Sequence, residues 1–144
     1  MKQTGVIALE KGGEIRLEFF PEDAPKTVEN FVTLTKKGFY NGLNFHRVVP
    51  DFVVQGGCPK GNGTGGPGYT IKAEFNKRPF DRGVLGMART QDPNSAGSQV
   101  YIMLGPAHFL NGQYTAFGKV TKGMDLVDKI KVGDRIKIIK VVDK

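Results

Sequence analysis

Apolar residues occur in short runs that turn residues interrupt along the whole chain of 144 residues. The run at 6–9 is followed by Lys-Gly-Gly at 11–13, a hairpin turn pattern, and then by alternating apolar and polar residues at 15–19. The chain contains 20 glycines and no tryptophan. Short apolar runs with many glycines predict a turn-rich protein built mostly of antiparallel β-strands.

One helix is specified clearly by the sequence, between Pro21 and Gly38. Asp23 or Ala24 can serve as its N-cap, and Pro25 suits its first turn. Apolar positions then recur at helical spacing, and Gly38 suits the position just after the helix end. These apolar positions are Val28, Phe31, Val32 and either Leu34 or Thr35. We predict an amphipathic helix that covers one open end of a sheet or barrel.

The remaining chain alternates short strands with loops. Four further strands are predicted, at 83–88, 99–104, 114–120 and 136–142. A second, short helix is predicted at 124–130, with Met124 and Val127 facing inward. The segment 58–76 is a long irregular loop, and loops of this length are usually functional or disordered. Because neither helix alternates with strands as in βαβ units, the pattern favours one domain that forms a closed antiparallel barrel.

Composition argues against several kinds of protein. The formal net charge is +7, from 21 basic and 14 acidic residues, but the basic residues are scattered without interleaved aromatic residues, so we expect no nucleic-acid partner. The only cysteine, Cys58, excludes an intrachain disulfide and has no obvious activating partner, so we expect a passive small side chain. No apolar run suits a signal peptide or approaches the ~20 residues of a membrane span, which favours a cytoplasmic protein without a membrane partner.

The most informative stretch is 45–57, Phe-His-Arg-Val-Val-Pro-Asp-Phe-Val-Val-Gln-Gly-Gly. Two β-type pieces flank the Pro-Asp pair at 50–51, which is turn or bulge chemistry. A bend there can bring Arg47 and Phe52 to one face, with Gln55 nearby. A cation and an amide beside an aromatic wall suit a neutral, partly apolar ligand with exposed amide groups, such as a peptide.

Other motifs are poor candidates for chemistry. Residues 61–66 match G-x-G-x-x-G, but Pro67 follows instead of a helix, so we reject a nucleotide site. His46 and His108 are the only histidines and make a poor metal set with one distant cysteine, so we expect no metal or cofactor. We expect His46 to be a structural, hydrogen-bonded histidine. The sequence also lacks a nucleophile with a base and paired carboxylates, which suits a reaction without proton transfer or a covalent intermediate.

With these motifs in order along the chain, the sequence resembles the cyclophilin-type peptidyl-prolyl cis-trans isomerases, and in particular their compact bacterial members. The matching stretches are 45–57, 62–66, 87–88, 97–99, 109–112 and 117–120. The resemblance covers essentially the whole chain, residues 1–144, as a single domain. It implies an eight-stranded β-barrel with a helix at each end, and a monomeric enzyme that rotates X-Pro peptide bonds in peptides and folding proteins.

The resemblance also assigns roles to individual residues. Arg47 matches the catalytic arginine, and Gln55 matches the glutamine that binds the substrate backbone. The other matches line the proline pocket, the edge of the peptide groove and the glycine-rich loop of a neighbouring pocket. They are Phe52, Val53, Gly63, Thr64, Ala88, Arg89, Gln99, Tyr101, Phe109, Leu110 and Tyr114.

Three positions depart from the best-known members of the family. Tyr101 replaces a phenylalanine of the proline pocket, so a hydroxyl must be accommodated at its rim. Phe109 replaces a tryptophan whose indole N–H binds cyclosporin, so cyclosporin binding should be weakened while catalysis need not be. Tyr114 replaces a histidine. The alternative to the proline pocket is that four of these residues only fill the core of the barrel, namely Phe52, Tyr101, Phe109 and Leu110. The alternative to a catalytic role for Arg47 is a structural salt bridge.

Prolyl isomerisation fits the absence of acid–base machinery. The bond rotates slowly behind a barrier of ~20 kcal/mol that amide resonance creates. In the twisted transition state the prolyl nitrogen recovers a lone pair, and a donor aimed there stabilises only that state. An acceleration of ~10⁴-fold requires only about 5.5 kcal/mol. Two other functions remain open: a proline-peptide binding module or chaperone with little turnover, and a basic β domain that binds nucleotides or nucleic acid.

Overall fold

A computed structural model describes residues 3–143. It contains eight β-strands, two α-helices and one short 3₁₀ turn at His108–Leu110. The strands are β1 (Gln3–Leu9), β2 (Glu14–Phe19), β3 (Arg47–Val49), β4 (Val53–Gly56), β5 (Val84–Met87), β6 (Val100–Met103), β7 (Ala116–Lys122) and β8 (Ile136–Asp143). The helices are α1 (Pro25–Lys36) and α2 (Met124–Val127). The predicted mostly β architecture with two helices is confirmed.

All eight strands belong to one antiparallel sheet. Their order is β3-β4-β6-β5-β7-β2-β1-β8, so the hairpin pairs β1–β2 and β3–β4 lie in opposite halves of the sheet. The alternating residues of β2 follow the predicted pattern, because Ile15, Leu17 and Phe19 are buried while Glu14 and Arg16 are exposed. Register irregularities in the β1–β8, β2–β7 and β5–β7 pairings bend the sheet.

The prediction of a closed barrel is not confirmed. The sheet ends at β3 and β8, and within residues 3–143 no ladder pairs these two strands. The chain just before β3 instead approaches the start of β8 through one isolated bridge, between Asn44 and Arg135. Four backbone hydrogen bonds support it. In one direction, Gly42 N–H donates to Ile136 O and Phe45 N–H donates to Asp134 O. In the other, Ile136 N–H donates to Leu43 O and Gly133 N–H donates to Phe45 O. The architecture is therefore a curled, open sheet whose edges touch at one point.

The two faces of the curled sheet carry separate apolar clusters. The larger cluster joins Val54 and Ile102 to α1, and it includes Phe31, whose ring lies 5.4 Å from that of Phe117. The neighbouring residues Val53 and Tyr101 belong to a smaller cluster on the opposite face. Successive residues of a strand point to opposite faces, so β4 and β6 supply both clusters at once. The smaller cluster forms the base of the candidate site.

Helix α1 packs its apolar stripe against the larger cluster, as predicted. Val28, Phe31, Val32, Leu34 and Thr35 are all buried. Ala24 is the N-cap residue, without a side-chain cap, and Gly38 adopts φ +75° after the helix end. Elsewhere the boundaries shift: α2 ends at Val127 instead of 130, and β7 begins at Ala116 instead of 114. Over the described part of the chain, no helix has the length and apolar character to cross a membrane.

Candidate active site

The β3–β4 hairpin positions the central residues of the site. Its turn contains Asp51 in the left-handed region at φ +63°, the conformation that Asn and Asp adopt more readily than other non-glycine residues. The register pairs Arg47 directly with Gln55 across the two strands. The Arg47 guanidinium lies 6.0 Å from the centroid of the Phe52 ring. The predicted bend therefore brings the cation, the aromatic ring and the amide together.

A chain of side-chain hydrogen bonds fixes Gln55. Arg47 Nη1 donates to Gln55 Oε1 at 3.1 Å, and Gln55 Nε2 donates to Gln99 Oε1 at 3.1 Å. Gln99 Nε2 in turn donates to the carbonyls of Gly63 and Gly65, both at 2.9 Å. Each amide accepts on one side and donates on the other, so the chain sets a single orientation for both glutamines. Arg47 is thereby connected to the glycine-rich loop through neutral amides.

A cavity of about 400 Å³, which we call the main cavity, opens beside Arg47, and apolar side chains form its base. Val53, Tyr101 and Leu110 are almost fully buried in its lining, and Phe52 and Tyr114 are partly buried. The complete set of lining residues is Arg47, Phe52, Val53, Gln55, Ala88, Arg89, Tyr101, Phe109, Leu110 and Tyr114. Ten of the thirteen predicted site residues therefore surround one cavity.

Phe109 and Leu110 have different positions although they are adjacent. Both lie on the 3₁₀ turn, where Leu110 is buried and Phe109 is 74% exposed. The Phe109 ring stacks on Phe52 with centroids 6.0 Å apart. An aromatic side chain this exposed is not barrel core, so that alternative is wrong for Phe109. For Tyr101 and Leu110 it holds only in part, because they are buried in the smaller cluster and outside the larger core.

A second cavity of about 300 Å³ adjoins the main cavity. Gln55, Ala88 and Arg89 line both cavities and so form the wall between them. The glycine-rich loop at 63–66 and Gln99 close its other side. This cavity contains the three predicted residues that the main cavity lacks, namely Gly63, Thr64 and Gln99.

The Tyr101 hydroxyl is not at the rim of the main cavity, which corrects the expectation from the sequence. Its oxygen is buried and has no hydrogen-bond partner among the residues that the structure describes. The ring lies over Gly86, where an added Cβ would approach the Tyr101 oxygen to 2.5 Å. Burial, together with the nearby Tyr114 and against the effect of Arg89, raises the pKa of Tyr101 far above its usual range. The hydroxyl stays neutral and is turned toward the sheet.

His46 and Cys58 also differ from expectation. His46 is not hydrogen-bonded at its buried Nδ1, and burial, then the charge of Arg47, lower its pKa. Cys58 is fully buried, as a passive side chain would be, but the backbone supplies an activating environment that the sequence did not reveal. Burial raises the pKa of the thiol, whereas backbone N–H groups, led by that of Gly65 at 3.2 Å from Sγ, lower it to about 7 overall.

Several residues that shape the site were not identified from sequence. Asn111 Oδ1 accepts the N–H of Phe80, and Ala107 N–H donates to Phe80 O, so the 3₁₀ turn is fastened to the segment before β5. His108 Nε2 lies 2.7 Å from Asp81 Oδ1 at the same junction. These pairs join residues about 30 positions apart, and no local pattern could have revealed them. In residues 3–143, no three His, Cys, Asp or Glu side chains are grouped closely enough to hold a metal ion.

The fold and the site together define a class of protein. A cavity with an apolar base lies beside an arginine, two oriented glutamines and loop carbonyls on a curled antiparallel sheet, and such a combination is typical of a ligand-binding site. The model of the family "Cyclophilin type peptidyl-prolyl cis-trans isomerase/CLD" matches residues 6–142. The chain therefore belongs to the cyclophilin-type peptidyl-prolyl cis-trans isomerases, which confirms the resemblance and the enzyme class predicted from sequence.

Individual relatives agree with this assignment. The chain is 49% identical over 141 residues to peptidyl-prolyl cis-trans isomerase B of Bacillus subtilis, covering 96% of this chain and 98% of that protein. It is 48% identical over 141 residues to a peptidyl-prolyl cis-trans isomerase of Synechococcus elongatus, covering 96% and 97%.

Solved structures show the same fold. A crystal structure of a cyclophilin-type peptidyl-prolyl cis-trans isomerase from Cryptosporidium parvum matches with a TM-score of 0.92 and 30% identity, covering 100% of this chain and 99% of that one. A second structure of that protein, in the presence of the dipeptide Ala-Pro, matches with a TM-score of 0.89 and 30% identity over 98% and 99% of the two chains.

Proposed function

We propose that this protein catalyses the cis-trans rotation of X-Pro bonds by stabilising the twisted transition state with Arg47. The observation that carries the proposal is the position of the Arg47 guanidinium at the rim of an apolar cavity, with a neutral amide as its hydrogen-bond partner. No carboxylate lies within ion-pair distance of Arg47 among the described residues, so its charge is not neutralised within the protein. This absence supports the role of a transition-state donor for Arg47 over that of a structural salt bridge.

The proline ring would enter the main cavity. Val53, Tyr101 and Leu110 supply apolar surface there, and Phe52 and Phe109 form an aromatic wall beside Arg47. An apolar cavity favours the twisted amide, which has lost its resonance and part of its dipole, over the polar planar amide. Proline-containing peptides and unfolded or folding proteins are the substrates that this groove fits.

Arg47 and Gln55 would then have separate roles. Arginine carries its charge at all physiological pH values and presents several N–H donors, so one of them can reach the prolyl nitrogen as its lone pair appears. Gln55 orients Arg47 through Oε1 and is itself held by Gln99. Because the donor is positioned before the substrate arrives, little reorganisation is needed when the bond twists.

The experiment that tests the proposal is NMR exchange spectroscopy on an Ala-Pro peptide with the native protein and Arg47→Ala. We expect the substitution to lower the exchange rate about 10²-fold or more, the usual effect of removing one oriented transition-state donor. The variant should still shift the peptide resonances, because the apolar cavity remains. Arg16→Ala, which removes an exposed cation from β2, is the matched control and should leave the rate unchanged.

Two results would contradict the proposal. If native protein shifts the peptide resonances without accelerating exchange, the groove belongs to a binding module or chaperone, which is the second candidate function. If Arg47→Ala and Arg16→Ala accelerate exchange as well as native protein does, Arg47 is not the transition-state donor.

Cyclosporin titration of the native protein and of Phe109→Trp would test the expected weakness of cyclosporin binding.

A further inference from the structure

Among residues 3–143, Arg89 is the only charged one that lines the second cavity. The other side chains there are uncharged, and several are hydroxyl groups, including Thr64, Thr90 and Ser95. No Asp or Glu in the described part of the chain lines either cavity. Arg89 lines both cavities, so the wall that separates them contains a cation.

The Arg89 guanidinium is held in place by neutral groups. Its Nε and Nη2 donate to the carbonyl of Gln113 at 3.1 and 2.7 Å, and Nη1 donates to the carbonyl of Thr90 at 2.8 Å. The group also lies 4.3 Å from the centroid of the Tyr114 ring. Backbone carbonyls and an aromatic ring fix the orientation of the cation, but none of them neutralises it.

A fixed and unneutralised cation is suited to binding a carboxylate. Immobilising a flexible arginine normally weakens binding, and here that ordering is complete before any ligand arrives. A carboxylate near it would be attracted by the uncompensated charge and could accept from the Nη2 hydrogen that the carbonyls of Gln113, Thr90 and Gln91 leave free. A basic side chain would be repelled by the same charge, and an aliphatic one would not interact with it.

We propose that Arg89 makes the second cavity a subsite for an acidic side chain, so that the preferred substrates carry Asp or Glu close to the proline. The inference rests on the proposed function, because it places the proline in the main cavity. The two cavities share Gln55, Ala88 and Arg89 in their linings and are therefore adjacent, and an extended chain advances about 3.3–3.6 Å per residue. The acidic residue would therefore lie within about three residues of the proline.

The test compares matched peptides that differ only in one residue. Glu, Gln and Lys are placed at each position up to three residues before and after an Ala-Pro pair, and kcat/KM is measured by NMR exchange at low and high salt. With native protein we expect the Glu peptide to exceed the Gln peptide by about three- to tenfold at one of these positions, with Lys lowest. Added salt should reduce the ratio because the interaction is ionic.

The decisive variant is Arg89→Gln, read out as the ratio of the Glu to the Gln peptide. We expect the ratio to fall to about one, whatever happens to the rate for the neutral peptide. A purely structural role of Arg89 would lower both rates together and leave the ratio unchanged. Arg16→Gln removes the same charge from a distant exposed strand position and should preserve the native ratio.

The outcomes separate this inference from the proposed function. If native protein accelerates exchange of all peptides with no preference for Glu at any position, the acidic subsite is excluded and the isomerase remains. If native protein accelerates none of them, dissociation constants of the Glu and Gln peptides decide the question. Equal dissociation constants would exclude the subsite, and tighter binding of the Glu peptide that Arg89→Gln abolishes would support it.

Discussion

At the scale of single residues, two buried tyrosine hydroxyl groups are in opposite situations, one in the larger core cluster and one at the base of the site. The Tyr40 hydroxyl is buried and donates to the carbonyl of Ser98 at 2.9 Å. The Tyr101 hydroxyl is also buried but has no partner in the protein. A buried hydrogen bond contributes about 1 kcal/mol, whereas an unsatisfied buried group costs about 1–3 kcal/mol. The same chemical group should therefore stabilise the fold at one position and destabilise it at the other.

We expect Tyr101→Phe to raise the free energy of unfolding by about 1 kcal/mol, because it removes an unsatisfied polar atom while keeping the ring. Tyr40→Phe is the control and should lower the free energy of unfolding by about 1 kcal/mol, because it leaves the Ser98 carbonyl without its donor. Urea unfolding measures both. A loss of stability in Tyr101→Phe equal to that in Tyr40→Phe would show that the Tyr101 hydroxyl has a stabilising partner in solution.

At the scale of the elements, α1 obtains its N-terminal cap from a distant part of the chain. Ala24 has no side chain that can cap, and Asp23 instead pairs with Arg78 at 2.8 Å. The Glu74 carboxylate accepts hydrogen bonds from the backbone N–H of Thr27 at 2.7 Å and from the Thr27 hydroxyl at 2.8 Å. It also accepts from the backbone N–H of Lys26 at 3.3 Å. A carboxylate at this end also interacts favourably with the helix dipole.

We expect Glu74→Ala to lower the free energy of unfolding by about 1–2 kcal/mol, the usual cost of losing a helix cap. Glu74→Gln should recover part of the loss, because its carbonyl oxygen can still accept while the charge is gone. Glu29→Ala, an exposed position in the same helix, is the control and should change stability by less than about 0.5 kcal/mol. Equal effects of Glu74→Ala and Glu29→Ala in thermal or urea unfolding would rule out capping by Glu74.

At the scale of the whole molecule, the two edges of the curled sheet meet where Asp134 is located. Asp134 O accepts the N–H of Phe45, and its carboxylate contacts Lys11 Nζ at 2.6 Å and the Lys131 N–H at 2.8 Å. The side-chain hydrogen bond from Lys11, then that from the Lys131 backbone, lower the pKa of Asp134. One carboxylate therefore connects the β1–β2 turn to the contact that brings the sheet edges together.

This connection should be sensitive to acid. Because the folded pKa of Asp134 is lowered, its stabilising contribution is complete above the unfolded carboxyl pKa of about 4 and is lost as pH falls through the folded value. We expect Asp134→Asn to reduce the loss of stability on acidification and to speed hydrogen exchange at the Phe45 and Ile136 amides at neutral pH. Asp51→Asn, an exposed turn position that Asn tolerates, is the control. Unchanged exchange and an unchanged pH profile in Asp134→Asn would contradict the role of this carboxylate.

The sequence by itself determined which segments become strands and helices, because each is encoded by a local pattern. The alternation of apolar and polar residues at 15–19 and the apolar stripe of α1 are both visible from residues that are close together in the sequence. The glycine after α1 and the bend at Asp51 were equally local. The residues of the site were found through motifs that resemble a known family, and the structure gathers all thirteen of them around two adjoining cavities.

Only the tertiary structure decided the features that depend on residues far apart in the chain. The open sheet, the Glu74 cap, the linkage of Gln55 to Gln99 and the buried Tyr101 hydroxyl all join positions from 15 to almost 100 residues apart. Local patterns specify the conformation of a segment, but the partner of a side chain depends on how the segments pack. The position of Arg89 between two cavities, with its charge held but not neutralised, is a property of that packing.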